Sequence, residues 1–379
     1  MSDLLRWRTV ATPAMIEAFD DAATITHALA FEVALARAQG EAGVIAPAVA
    51  EVVAEGLAQL RIDPAELAEE AALAGTLAIP LVARARAALG GEAAQALHRA
   101  ATSQDVADSV LMMQVRRACV LLLADLDRVV AGFHALATKH HDTPAIGRTL
   151  LQDALPVAFG LRLAQGAAGV AGARRSLDEA VTRHTVLQWG GAAGTRAGVD
   201  GQGEMIAAYM AASLGLGCAP PWHARRVGVG AIAAALGLVI GALGKVARDV
   251  SLLAQNGIGE AREPAIAGRG GSSAMAHKRN PTGCQVALSA ATRAPGLVAG
   301  VLAGLPQEQE RGLGGWQAEG PALADLFLLA SGSAAALAVV AEGLEVDEAA
   351  IARNLRAADV GDDIGESGAI IAALLGAGG

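Results

Sequence analysis

The sequence predicts an all-α protein built on long helices. Three features point there. More than half of the chain is hydrophobic (53%) yet only 3% is aromatic, so the apolar content is mostly Ala, Leu and Val, which suits close-packed helices. No stretch sustains the period-two alternation of a half-buried strand. Residues 103–139 run without proline and with the single glycine Gly132, which at 1.5 Å per residue predicts a helix about 55 Å long. So long a helix belongs to an extended bundle. The chain of 379 residues then divides into a small N-terminal helical domain over 1–101, a central long-helix bundle over 102–343 and a short C-terminal helical region over 344–379.

Taken in order, Met15 to Gly43 has apolar residues at helical spacing and reads as one or two helices. Pro47 to Leu60 is another, Asp63-Pro64 caps a further one, and Leu77 to Leu89 is ended by Gly90-Gly91. Thr102 and Ser103 can cap the long helix, with Asp105 favourably placed in its first turn. Gly147 to Gly160 is punctuated by Gly and Pro and reads as a turn between long helices, the next running from Ala154 to His184. Leu187 to Thr195 is a glycine-rich turn that lacks the lysine and the preceding strand of a phosphate loop. Ala224 to Gln255, Val286 to Ala303, Leu323 to Leu344 and Val346 to Arg356 complete the helices, and the end, 364–379, is thin and glycine-rich.

Several function classes are disfavoured. A net charge of −9 and a pI near 5.4 argue against a nucleic-acid binder. Three scattered cysteines, Cys119, Cys218 and Cys284, form no metal-ligand spacing and suit a reducing compartment; no metal or other cofactor is expected. The start, MSDLLRWRTV, lacks a charged region followed by an apolar run, so a cytoplasmic location is expected. Val227 to Gly244 carries no charge over about eighteen residues, near the lower limit for a membrane span. With its glycines, and with Lys245, Arg248 and Asp249 directly behind, it reads better as a buried bundle helix.

The densest polar cluster is Gly270 to Pro281, GGSSAMAHKRNP. Two glycines free the backbone, two hydroxyls and His277, Lys278 and Arg279 suit an anionic ligand, and Pro281 fits the first turn of a helix. On composition alone a solvated linker with a basic end fits as well. The order GSS-x-M-x-x-K-x-N-P resembles the signature loop of the fumarase/aspartase superfamily, with Ala276 where that family usually has proline. HRAATSQD, 98–105, resembles its first motif, HxGxTSxD, with Ala100 for the usual glycine; read without the resemblance, Thr102, Ser103 and Asp105 are simple caps. GRTLLQDALPVAFG, 147–160, resembles the second motif, Thr-His-x-Gln, but Leu150 holds the histidine position between Thr149 and Gln152. QEQERGLGGWQAEG, 307–320, otherwise a charged surface loop, resembles the ER-x-x-G-x-W-x-AE stretch of the muconate cycloisomerase branch through Glu310, Arg311, Trp316 and Glu319. Gly320 stands where an aromatic residue is expected.

The resemblance implies a fumarase/aspartase-like fold, a homotetramer whose active sites draw on several subunits, and a small tricarboxylate substrate with no nucleic-acid or membrane partner. It implies lactonisation of a carboxymuconate, in which one carboxylate adds across a C=C bond and a proton is delivered beside another. By the same resemblance Ser273 is the acid/base residue and His98 a second proton-transfer candidate, its ordinary pKa lying near neutrality. Thr102, Ser103, Lys278 and Asn280 would stabilise the developing charge, and Gln152 and Arg311 would hold the other carboxylates. Two alternatives stay open: a fumarate-releasing lyase of the adenylosuccinate lyase type, against which Leu150 counts, and a non-catalytic protein retaining the fold. Relatives usually continue for a further helical domain, so the C-terminal region is expected to be short.

Overall fold

Prolines and polar caps set the first helices. A computed structural model describes residues 4–272, 274–275 and 278–376. The N-terminal part comprises α1 (Leu4–Trp7), α2 (Pro13–Ala18), α3 (Asp21–Glu41), α4 (Pro47–Gln59), α5 (Pro64–Ala74), α6 (Ala78–Leu89) and α7 (Gly91–Ala96). Side-chain oxygens of Thr12, Asp20 and Asp63 accept the free N–H groups of Met15, Ala23 and Ala65, and Pro13, Pro47 and Pro64 occupy first turns, where a missing N–H costs nothing.

The remainder is α8 (Ser103–Lys139), β1 (Pro144–Thr149), β2 (Gln152–Ala158), α9 (Phe159–His184), α10 (Gly203–Leu214), α11 (Val227–Leu253), β3 (Ala261–Arg262), α12 (Thr282–Ala303), α13 (Gly315–Gly343), β4 (Glu345–Val346), α14 (Glu348–Ala358) and α15 (Ser367–Gly376). The five long helices close a ring, α8 on α9, α9 on α11, α11 on α12, α12 on α13 and α13 back on α8. Small residues let them approach. A Cβ at Gly132 would lie 2.7 Å from the Cβ of Ala341 and 2.8 Å from its carbonyl carbon, so the one glycine of α8 is where α13 crosses it. By length and composition α11, α12 and α13 could each cross a membrane. They pack on one another unequally: in their most apolar stretches 67% of α13 and 56% of α11 is buried, against 22% of α12.

Four expectations need correction. Residues 144–158 are a β-hairpin, not a turn between helices, so α9 begins at Phe159 and not at Ala154. Gly147, Pro156 and a bulge between Ile146 and Arg148 break the alternation that would have marked its strands. The segment 307–320 is only half loop, since Trp316, Glu319 and Gly320 already lie in the first turns of α13. Pro281 caps α12 from just outside, and α10 is a helix with no counterpart in the sequence reading.

The helix directions give the bundle two distinct ends. Asp105 at the start of α8 accepts N–H groups from Gly190 and Gly191, just beyond α9, and bonds His223, just before α11. Arg311, in the loop from α12 to α13, reaches Ala192 in the same turn. At the opposite end the hairpin follows α8, and Arg148 within it bonds Glu260, which follows α11. There too Glu263 accepts the first N–H groups of α12, Gly283 and Cys284, and β3 pairs with β4 just after α13. The 37 residues of α8 put about 55 Å between these ends.

Candidate active site

The α8 end assembles four of the expected residues. Thr102 and Ser103 sit half-buried at the N-terminus of α8, where free N–H groups and the helix dipole favour an anion. Ser103 opens onto a cavity of about 500 Å³ that also touches Asp108, Gln114 and Trp316. Fully buried Asp105 organises this end: Oδ2 accepts the N–H of Thr102 (3.0 Å) and Gly191 (2.9 Å), while Oδ1 accepts the N–H of Gly190 (3.0 Å) and lies 2.7 Å from His223 Nε2. Its role as a helix cap is therefore the smaller part of what it does. The other face of the same turn receives Arg311, whose Nη2 donates to the carbonyls of Ala192 (2.8 Å) and Gly191 (3.4 Å). The glycine-rich turn thus joins Arg311 to the capping motif. His98, four residues before Thr102, has a left-handed backbone conformation (φ 60°), with Nδ1 2.6 Å from Glu32 Oε1. Burial works against a charge on this imidazole, but the hydrogen bond and charge of Glu32 outweigh it, and the His98 pKa is raised.

Beneath lies a buried ion triad that the sequence did not suggest. Arg226 is fully enclosed, donating to both oxygens of Asp108 (2.8 Å each) and to Glu319 (2.5 to 3.2 Å). Burial opposes the guanidinium charge, yet the two carboxylates hold its pKa above the ordinary value. Two acids share one cation, and Glu319 shows the strain: burial pushes its pKa up despite Arg226. The triad pins α8, α11 and α13 together directly under Ser103 and Trp316.

The opposite end carries the rest. Gln152 is exposed at the hairpin, its Nε2 donating to the Leu151 carbonyl (3.2 Å). Thr149 pairs with Gln152, which leaves Leu150 (φ 51°) and Leu151 (φ 66°) as the two residues of the turn. Both are left-handed, a conformation usually supplied by Asn-Gly, and both stand in solvent, Leu150 96% exposed. Lys278 and Asn280 line a cleft of about 710 Å³ with Arg262, Arg269 and Arg279, whose cations outnumber the one acid of the lining, Glu263, and suit a polycarboxylate. The Asn280 N–H donates to the Gly270 carbonyl (2.8 Å) and closes the loop on itself, while Arg279 forks onto Glu345 (2.9 and 3.0 Å). Ser273 and His277 lie outside the described residues.

One chain therefore gathers His98, Thr102, Ser103 and Arg311 at one end, and Gln152, Lys278 and Asn280 at the other. Sequence reading missed Glu32, His223 and the Arg226 triad. The available signal was in α3, where Glu32 and Gln39 fall seven apart on the face that also carries Phe31 and Leu35, all four buried.

A ring of long helices, a TSxD-capped helix facing a glycine-rich turn, and a basic signature loop together define a lyase of the fumarase/aspartase kind. Residues 7–296 match the Lyase family, and the chain belongs to it. Within that family it is similar to the 3-carboxy-cis,cis-muconate cycloisomerases of Bradyrhizobium diazoefficiens and Pseudomonas aeruginosa. Identity is 45% and 48%, over 92% and 89% of this chain and 78% and 74% of theirs. The crystal structure of 3-carboxy-cis,cis-muconate lactonizing enzyme from Pseudomonas putida superposes with a TM-score of 0.87 at 41% identity, covering 93% of this chain and 79% of that one.

Proposed function

We propose that the protein is a cycloisomerase that converts 3-carboxy-cis,cis-muconate to 4-carboxymuconolactone, in the protocatechuate branch of aromatic catabolism. The observation that carries this is the hairpin tip. Where fumarate-releasing lyases of the superfamily hold a histidine, this chain holds Leu150, which cannot carry a proton. In lactonisation the reverse leaving group is a carboxylate, stable as an anion, so no acid is needed at that position. The relatives named as cycloisomerases support the same reading.

In this mechanism Thr102 and Ser103, with the N-terminus of α8, seat one substrate carboxylate. Lys278 and Asn280 face the carboxylate whose negative charge grows as the ring closes, and Gln152 and Arg311 orient the others. Ser273 moves the proton, with Lys278 and loop N–H groups stabilising its alkoxide, and His98 is the second proton carrier.

Residues about 55 Å apart cannot meet on one substrate, so the site is completed between copies in a homotetramer. Sparsely covered α12 and the exposed leucines of the hairpin supply apolar surface for that assembly. A cytoplasmic location fits the three free cysteines. The deciding experiment is turnover of 3-carboxy-cis,cis-muconate by the purified protein without added metal or nucleotide. Fumarate release from adenylosuccinate, argininosuccinate or malate at a comparable rate would replace this reading with the lyase alternative.

A further inference from the structure

We infer that Glu32 is a positioning residue for His98: it fixes the imidazole tautomer, leaves Nε2 as the working nitrogen, and sets the pH at which that nitrogen gives or takes a proton. The inference rests on the proposed place of His98 in the site. Among the described histidines only two have a carboxylate oxygen within hydrogen-bond distance, His98 with Glu32 at 2.6 Å and His223 with Asp105 at 2.7 Å. These two pairs differ in what surrounds them. His223 is 4% exposed, and Asp105 is saturated by three backbone N–H groups, which makes that pair a structural clamp. The His98 side chain is 15% exposed, and its Nε2 has no protein partner among the described residues. Glu32 is wholly buried, and its second oxygen, Oε2, has no hydrogen-bond partner among the described residues.

A buried carboxylate with one oxygen unmatched is costly to keep, and packing alone would favour an apolar residue on that face of α3. Among the described residues its one side-chain partner is the imidazole. With Nδ1–H held by Glu32, any proton that His98 exchanges must pass through Nε2: the imidazolium releases Nε2–H, and the neutral ring keeps Nδ1–H on the carboxylate. His98 and Ala100 both take left-handed backbone angles (φ 60° and 57°) in the short segment that leads into Thr102. Other charged groups also face the imidazole. Asp105 from α8 acts with Glu32 to favour the cation, and Arg86 from α6 opposes it.

The test combines a titration with a rate profile. In the intact protein, ¹³C NMR of Cε1-labelled histidine, with the His98 signal assigned through His98→Gln, should place its midpoint above that of a free histidine. Glu32→Gln should move that midpoint to lower pH. The limb of the kcat/KM profile that belongs to His98 should move the same way, with at least ~10-fold loss of kcat near neutrality and little change in KM. Glu32→Asp, which keeps the charge, should restore part of both. An unaltered midpoint at or below the ordinary histidine value refutes the inference even if Glu32→Gln fails to fold. So does a midpoint that Glu32→Gln leaves in place. A midpoint that moves while the rate profile stays still overturns the catalytic half. Absence of muconate turnover in the unaltered protein would sink the cycloisomerase reading instead, and the titration would still decide the Glu32–His98 pair.

Discussion

Replacing Asp105 by asparagine should loosen the α8 end of the site at a predictable cost. Asp105 accepts from four donors, two on each oxygen, and is fully buried. Asparagine has nearly the same shape but only one acceptor oxygen. If that oxygen serves Gly190 and His223, the amide NH₂ faces the N–H groups of Thr102 and Gly191, and two donors, one half-buried and one buried, lose their partner. Each costs about 1–3 kcal/mol, so the pair costs roughly 2–6 kcal/mol. Relief from burying a charge offsets part of this and leaves about 3 kcal/mol. For 379 residues the unfolding entropy is roughly 0.8 kcal/mol/K, so the thermal midpoint should fall by about 4 °C. Turnover should fall about 10²-fold, because Thr102 and Ser103 would no longer be held in register with the turn that carries Arg311. Differential scanning calorimetry and a muconate assay read the two effects. Glu51→Gln, which removes an exposed partner of Arg37, is the control and should leave both unchanged. A midpoint within about 1 °C of the parent together with turnover within about twofold would refute the role given to Asp105.

Other outcomes follow from the same reading. Ser273→Ala should fold normally and lose at least ~10² in turnover, whereas near-parental turnover beside an inactive Ser272→Ala would transfer the proton to Ser272. Light scattering should report about four times the chain mass of 37.9 kDa, and an active monomer would contradict the shared site. Leu150→His should lower cycloisomerase activity by placing a hydrated polar group where an apolar wall is expected; equal or higher activity would remove the argument built on that position. Gly132→Leu should destabilise the fold by about 1–3 kcal/mol, because its side chain would enter the backbone of α13 at Ala341; a calorimetric midpoint equal to the parent's would show that the crossing can open.

What could be read from the sequence was local. Both limits of α8 were legible because Thr102, Ser103 and Asp105 mark its start and no proline interrupts it before Lys139. The helices after Pro47 and Asp63-Pro64, and the stop at Gly90, were legible for the same reason. The hairpin was not, because six- and seven-residue strands containing Gly147 and Pro156 have too little alternation to register. The site divided the same way. Each motif was visible as a string, but its place at one end of the bundle or the other depends on pairs such as Asp105–Gly191, Arg226–Glu319 and Arg148–Glu260. These lie 86, 93 and 112 positions apart, beyond any periodicity. Glu32 was hidden by its setting, one acid in an alanine-rich helix that also carries ordinary surface charges.

The sparse covering of α12 has a consequence for handling the protein. In the proposed assembly its outward face is buried only by other copies, so mass action couples the integrity of each chain to how many chains surround it. Dilution then acts as a denaturant. Specific activity should fall off below a threshold concentration, and the melting midpoint should climb as the sample is concentrated. A rate measured at nanomolar enzyme and a stability measured at micromolar enzyme would describe two different populations.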